Sequence, residues 1–456
     1  MKKLSRREFV KGATVASAFM ILPSCMSAKK VYANGRVNVA VVGAGGRGSA
    51  SVEAIAKSSK ANLVALCDVD DVNAAAMYKK YPKVKKYYDF RKMLDEMPEI
   101  DAVVVATPDH MHFPISSWAM KMGKHVYCEK PLTRTVWESR QMARLAKRYG
   151  VKTQMGNQGH TQDGWRALKE LIDSGIIGQI EDVYSWTDRP NLWPQGNLPL
   201  PAADRIPSSL KYDLWLGVAP KVQYFKKMLP FNWRGLRLFG TGASGDMACH
   251  ITDAAYSSMN LTTPYKVEST QEGMNDSFWP AKSTSHLYFK NKLGANGEIR
   301  LHWYDGAPGL NKPEEVKRVP HEYLHDPRLT NGTFVVGTKE TVFLDVYGGN
   351  AVIQPLSRMR EFMKNKKLPP KTLPRSKYVN NPWDEWLEAI LVGGDEQSPA
   401  NFAYAAPLTE LSLLNLCGIQ AGIPLEYNGE KMEFTNAPEM NKYLHSLYDY
   451  DKSFIL

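Results

Sequence analysis

The 456-residue chain is poor in cysteine, with Cys25, Cys67, Cys128, Cys249 and Cys417 scattered along it. None sits at a paired spacing such as CxxC, which removes the usual zinc-ribbon and dithiol redox motifs. Thiols dispersed in apolar surroundings are expected to be buried, and no metal ion is expected. Long hydrophobic runs are also missing. After the N-terminal segment, no run reads as the roughly 20 apolar residues a membrane span needs, so no integral span is expected after processing. Internal repeats and low-complexity tracts are absent. The net charge of +11 suggests a polyanion partner at first sight. However, Lys2, Lys3, Arg6, Arg7, Lys11, Lys29 and Lys30 against Glu8 place six of those charges before residue 34. The remainder is spread out, with no basic run interleaved with aromatics, which argues against a nucleic-acid partner. With 43% hydrophobic and 23% charged residues, the chain is a globular protein long enough for two domains.

The first 33 residues have the layout of a targeting peptide. Ser5-Arg6-Arg7-Glu8-Phe9-Val10-Lys11 carries a twin-arginine pair, and the stretch from Gly12 to Pro23 is apolar but too short to span a bilayer. The alternative is a basic tail without a targeting role. Export to the periplasm is the expectation, and two processing readings stay open. Val31-Tyr32-Ala33 offers small residues before a cut at Asn34, while Leu22-Pro23-Ser24-Cys25 resembles a lipoprotein box that would leave the protein lipid-anchored through Cys25.

From Asn38 onward, short apolar strands alternate with helices. Strands are expected at Asn38–Val42, Asn62–Cys67, near Tyr87, and at Ala102–Ala106, His125–Cys128 and Val151–Met155. Helices are expected at Ala74–Tyr81, Phe113–Met122 and Trp137–Tyr149. This rhythm predicts a parallel α/β sheet. After about residue 160 it changes to longer aromatic-rich strands, at Glu181–Thr187, Tyr265–Thr270, Ser285–Lys290, Glu298–Tyr304, Phe334–Thr338 and Thr341–Val346. Pro190–Pro230 reads as a functional loop region and Gly348–Lys371 as a connection, with helices at Trp383–Leu391 and Leu408–Ala421. The expected organisation is an export segment (1–33), an α/β Rossmann domain (34–160) and an α+β domain with a predominantly antiparallel sheet (161–456). The last helices of that second domain are expected to pack back.

Gly43-Ala44-Gly45-Gly46-Arg47-Gly48 follows the first strand, opens a helix, and has Asp68 twenty residues beyond Gly48 at the end of the second strand. That context is what makes a GxGxxG pattern a dinucleotide fingerprint rather than an ordinary glycine turn. Gly43 suits the tight turn, Gly45 the approach of a pyrophosphate, and Gly48 the packing of helix on strand. Asp68 would accept from the adenosine ribose and repel a 2′-phosphate, so NAD is expected over NADP.

Two further segments carry chemistry. Cys128-Glu129-Lys130-Pro131 closes a strand at the sheet edge where such folds place ligands. Asp246 and His250, within Gly240–His250, are four apart and share one face of a helix. A solvated lysine, a helix-start acid and a satisfied histidine are the ordinary alternatives. Together with the glycine loop and Thr107-Pro108-Asp109-His110-Met111-His112, these segments resemble the Gfo/Idh/MocA family (glucose–fructose oxidoreductase and inositol dehydrogenase). The resemblance runs from Val37 to the C-terminus. It implies that Thr107, Pro108, His112, Glu129, Lys130 and Asn157 border the cofactor. It also implies an oxidoreductase in which His250 takes a hydroxyl proton while hydride passes to the nicotinamide C4. Lys130 would stabilise the developing alkoxide, and Asp246 would bind a neighbouring hydroxyl. Asp253, three beyond His250, is a candidate to orient the histidine's other nitrogen, or simply a helix cap.

Gln158, His160, Trp233, Arg234 and Tyr304 mix aromatic faces with polar ends, as a sugar's C–H face and hydroxyl rim require, although aromatics at strand spacing are more often core than pocket. The implied substrate is a small sugar, polyol or glycoside. An NAD-dependent glycosidase that oxidises transiently and eliminates, and a non-catalytic sugar-binding protein, are the rival readings. Homo-oligomerisation stays open.

Overall fold

A computed structural model describes residues 35–306, 330–394 and 397–445, with Tyr32, Leu447, Tyr448 and Tyr450. The export segment, with Arg6, Arg7 and Cys25, lies outside the described residues.

The first sheet is built from β1 (Val37–Val42), β2 (Ala61–Cys67), β3 (Lys85–Tyr87), β4 (Ala102–Val105), β5 (His125–Glu129) and β6 (Thr153–Gly156). All neighbours are parallel, in the order β3-β2-β1-β4-β5-β6. β1 reads VNVAVV because it is buried on both faces. Val39 and Val41 point into one apolar cluster, and Ala40 and Val42 into the other. The intervening helices are α1 (Gly48–Lys57), α2 (Asp71–Lys80), α3 (Phe90–Glu96), α4 (His112–Lys121) and α5 (Val136–Tyr149). Their ends are written in the sequence. At the start of α5, Thr135 accepts from Glu138 N while Glu138 accepts from Thr135 N, and Gly150 closes the helix at φ 61°.

The chain then enters the second domain through α6 (Gly164–Asp173) and β7 (Ile180–Thr187), followed by α7 (Tyr212–Leu216), α8 (Gly242–Ile251) and α9 (Asp253–Ser258). Strands β8 (Lys266–Glu272), β9 (Lys282–Lys290), β10 (Glu298–Gly306), β11 (Gly332–Gly337), β12 (Thr341–Leu344) and β13 (Ala351–Gln354) come next. Helices α10 (Leu356–Lys364), α11 (Pro382–Val392) and α12 (Phe402–Ala421) precede β14 (Leu425–Asn428) and β15 (Glu433–Phe434). Among the described residues the second sheet has nine strands in the order β13-β12-β11-β7-β10-β9-β8-β14-β15, and only its β7–β10 strand pair is parallel. It is the α+β, mainly antiparallel sheet the sequence predicts.

Two packing relationships set up the site. α11 returns to the first sheet, where Trp386, Leu387 and Ile390 join Val39, Val41 and Val104 in one core. α12 packs against α5, α8 and β8. It starts six residues before the predicted Leu408, because Asn401 caps it by accepting from Ala403 N and the helix continues through Pro407. At 20 residues it is long and apolar enough to cross a membrane, correcting the expectation that no such run exists. Its most apolar window is 83% buried inside the fold, as in a core helix. The predicted connection 348–371 contains β13 and α10, and α10 escapes a reading by apolar period because Phe362 is its only buried residue.

Candidate active site

The ends of β1, β2, β4 and β5 open onto a crevice of about 520 Å³. Gly43, at φ 84°, turns the chain out of β1 so closely against β4 that a Cβ would stand 2.5 Å from Ala106 O. Gly45 lines the crevice and also admits a neighbouring helix, since a Cβ there would meet Asn73 of α2 at 2.3 Å, while a Cβ on Gly46, at φ 51°, would meet only Asn73 Oδ1 at 4.0 Å. Asp68 is buried on the crevice wall, with Oδ2 accepting from Gly45 N at 2.9 Å and Oδ1 from Asp70 N at 3.0 Å. The long loop before α7 comes over this end, where Lys211 N donates to Val69 O at 2.8 Å and Leu210 bridges Asp70.

At the other end, Arg47 of the glycine loop reaches Glu129 (Nε to Oε1, 3.1 Å), tying the fingerprint to the end of β5. Glu129 Oε2 and Thr107 Oγ1 are both buried with no hydrogen-bond partner among the described residues, and both residues line the crevice. Orphaned acceptors of this kind fit a ligand that supplies donors, as a ribose or a carboxamide does. Glycine loop, Asp68 and orphaned oxygens therefore fit a dinucleotide. His112 is buried between two carbonyls, Pro131 O and Thr107 O, each 2.8 Å from a ring nitrogen. A carbonyl only accepts, so both ring nitrogens carry protons. Burial alone would strip that charge, but Cys128, Asp109 and the Pro131 carbonyl outweigh it and push the pKa up to about 10.

Lys130 and Asp246 meet on the crevice wall. Lys130 Nζ donates to Asp246 O at 2.6 Å and to its Oδ1 at 2.8 Å, which leaves one of its three donors. Burial would raise the Asp246 pKa, but the Lys130 ammonium and the Arg234 guanidinium hold it down at about 2. His250 is buried one turn along α8 from Asp246. Burial first, and then the Lys130 charge, hold its pKa well below 6.5, so the imidazole is neutral at neutral pH.

Several expected residues lie elsewhere than predicted. Asn157 does not line the crevice; its Oδ1 faces His250 Nδ1 at 2.8 Å and its Nδ2 donates to Cys249 O at 2.8 Å. Asp253 does not orient His250. It takes His160 Nδ1 at 3.0 Å and the Tyr404 hydroxyl at 2.6 Å, and His160 stacks on Trp165 within this buried group. Gln158 opens the short turn after β6 without lining the crevice, and its Oε1 is buried without a partner among the described residues. Tyr304 belongs to an aromatic cluster with Tyr184, Trp186, Phe334 and Phe343. Strand alternation is the reason: Leu301 and Trp303 point into the large core, so Tyr304 points to the opposite face of the sheet. Trp233 and Arg234 do line the crevice, as does Pro108.

Two residues were missed. Arg189 follows β7 and brings its Nε to 4.0 Å from Asp246 Oδ2. Tyr347, between β12 and β13, presents its ring edge-on to His250 with centroids 5.2 Å apart. Neither stands in a recognisable motif, and only tertiary packing brings them here.

Two family models match the chain: an oxidoreductase family with an NAD-binding Rossmann fold over residues 37–157, and the C-terminal α/β domain of that family over 164–278. Levoglucosan dehydrogenase of Pseudarthrobacter phenanthrenivorans is 28% identical over 37% of this chain and 35% of its own length. Inositol 2-dehydrogenase of Salmonella typhimurium is 30% identical over 30% of this chain and 42% of its own. The chain thus spans well under two thirds of these curated relatives. The aldose–aldose oxidoreductase of Caulobacter crescentus superposes with a TM-score of 0.57 at 17% identity, covering 86% of this chain and 99% of that one, and shares the fold. NAD is the cofactor of this fold, and the chain belongs to the Gfo/Idh/MocA oxidoreductase family.

Proposed function

We propose that the protein is an NAD-dependent dehydrogenase that acts on a hydroxyl carbon of a sugar or polyol. The observation that carries this reading is the Lys130–Asp246 pair on the crevice wall, with His250 buried one turn along α8 behind the crevice lining. The activities of the levoglucosan and inositol relatives support it.

Bound NAD supplies the hydride acceptor, which no side chain can provide. The protein's residues supply position and proton transfer. His250 Nε2, the ring nitrogen not engaged by Asn157, takes the substrate's hydroxyl proton. Lys130 gives its remaining N–H to the same oxygen as negative charge builds there. Asp246 fixes that ammonium in place through two of its donors. Asp68 and the glycine loop would hold the adenosine half, and the Arg47–Glu129 pair would border the other end.

The reading extends to cell location. The Arg6-Arg7 pair supports twin-arginine export to the periplasm, a route for folded proteins. Because that route carries folded proteins and a periplasmic enzyme has no evident supply of free NAD, the nucleotide is carried out with the enzyme rather than exchanged. Protein purified from the periplasm is expected to hold stoichiometric nucleotide through extensive dialysis. Cofactor-free protein that turns over only with added NAD would refute this. Incubating the purified protein with a panel of sugars and glycosides tests the reaction itself. Reduced nicotinamide with stoichiometric keto-sugar supports the dehydrogenase, and free sugar without net redox supports the glycosidase reading.

A further inference from the structure

Proton transfer and hydride transfer account for Lys130, Asp246 and His250, but not for two arginines beside them. Arg234 Nε lies 3.6 Å from Asp246 Oδ1 and Arg189 Nε 4.0 Å from Oδ2, with Lys130 already at 2.8 Å. Three cations therefore converge on one carboxylate. Asp188 is the other acid within reach, 3.4 Å from Arg189, and it is also engaged by Asn191 (2.7 Å) and Asn331 (3.3 Å). Asp109 sits behind, accepting from Thr241 N and Oγ1 and facing the charged His112, Arg234 and Lys130. Four cations, Lys130, Arg189, Arg234 and His112, thus face three carboxylates, Asp246, Asp188 and Asp109, which leaves one positive charge over beside the crevice.

The arginines are also built in rather than loosely placed. Arg234 lies over Phe231 (4.2 Å) and Trp233 (4.5 Å), and Arg189 over Trp193 (6.0 Å). Trp193 and Phe231 meet edge to face at 5.9 Å, so a single aromatic shelf carries both guanidinium groups. Their side chains are only 22% and 19% exposed. Arg189 Nη1 donates to Asn191 Oδ1 at 2.6 Å and Arg234 Nη1 to Phe231 O at 3.1 Å, while Arg189 Nε is buried with no hydrogen-bond partner among the described residues. Burying cations without matching anions is costly, and planar guanidinium forks match the two oxygens of a carboxylate. A site for a neutral sugar alone would call for amides and acids around the hydroxyls, not for a second and third cation.

We propose that Arg189 and Arg234 form a carboxylate receptor, so that the substrate is an acidic sugar or polyol, a uronate or aldonate, whose carboxylate lies close to the reacting hydroxyl. The proposal rests on the dehydrogenase reading for the identity of that hydroxyl, but its binding test does not.

The test is calorimetric titration of the purified NAD-bound protein with glucuronate, galacturonate and gluconate, each against its neutral counterpart glucose, galactose or sorbitol, and with glucose 6-sulfate. At least one acid is expected to bind about tenfold or more tighter than its counterpart, the scale of a charge-assisted hydrogen bond. That preference should weaken as salt rises. Arg189→Gln and Arg234→Gln should each cut the acid-to-neutral affinity ratio about tenfold, with retained NAD reporting that the fold is intact. Arg→Lys at either position should recover only part of the ratio, because the charge remains but the fork is lost. Should the glutamine variants fail to fold, the wild-type ratio and the lysine variants still decide. Equal affinities, tighter neutral sugars, no binding by any acid, or preference for the sulfate ester over every carboxylate would overturn the proposal. Tight, arginine-dependent binding of an acid without reduction of NAD would instead overturn the dehydrogenase reading and leave the receptor standing. Oxidation of neutral sugars with the same kcat/KM as the acids would do the reverse.

Discussion

Asn157 fixes the proton of His250. The Cys249 carbonyl, 2.8 Å from Asn157 Nδ2, can only accept, so the amide turns its oxygen toward His250 Nδ1 at 2.8 Å. That nitrogen must carry hydrogen, which leaves Nε2 as the base. Asn157→Leu should therefore keep NAD bound while lowering the rate by about 10²-fold, the usual cost of a misaligned catalytic group. Asn157→Asp should act differently, since a carboxylate beside Nδ1 favours the imidazolium. In the wild type the acid limb of the pH–rate profile should lie well below pH 6.5, because the base is already neutral there. In the aspartate variant it should move toward neutrality. Identical profiles for the two proteins would remove Asn157 from this role.

His112 gives a prediction of opposite sign. Its pKa is raised in the folded protein to about 10, against 6.5 for an ordinary histidine. The stability it contributes is therefore fully present below pH 6.5 and is lost as pH rises through about 10. Nitrogen NMR at pH 8 should find both ring nitrogens protonated. His112→Leu should lower Tm most below pH 6.5, and its difference from wild type should shrink toward pH 10. A deprotonated ring at pH 8 would contradict the two-carbonyl geometry.

Much of this was legible in the chain because it is local. The strand–glycine–helix succession, Asp68 at a strand end, and the i, i+4 pair Asp246 and His250 each report their own geometry within a few residues. Burial on both faces likewise made β1 and β4 readable as continuous apolar runs. What failed was non-local. Sequence spacing left Asp253 open to orienting His250 or to capping a helix, and the carboxylate turns to His160 and Tyr404. Tyr304 looked like a pocket aromatic, but the register of β10 sends it to the other face of the sheet. Arg189 and Tyr347 belong to loops whose path is set only by what they pack against.

That packing is tight around Tyr347. The Gly348 carbonyl next to it abuts the first residue of α6, where a Cβ on Gly164 would stand 1.9 Å from Gly348 O. Gly164→Ala should cost about 1–3 kcal/mol, as overpacking usually does. It should also raise KM through displacement of the Tyr347 loop. Thermal unfolding and steady-state kinetics check the two halves, and an unchanged Tm would mean the loop gives way freely.

Asp68 offers the test of cofactor choice. Its carboxylate lines the crevice at the end of β2, where a 2′-phosphate would meet it. Asp68→Ser should weaken NAD binding and relax discrimination against NADP, read by titrating both nucleotides into stripped protein. Tighter binding of NADP than of NAD by the wild type would refute the assignment.

The most direct test of the account is single-turnover reduction of enzyme-bound NAD, followed by the absorbance of reduced nicotinamide after mixing with an active sugar. Single turnover separates the chemical step from product release. Lys130→Met should lose nearly all reduction while still holding NAD, because the glycine loop and Asp68 are untouched. His250→Asn should slow it by about 10²–10⁴-fold, the ordinary worth of a general base. Near-normal rates in both variants would contradict the account and place the chemistry elsewhere in the crevice.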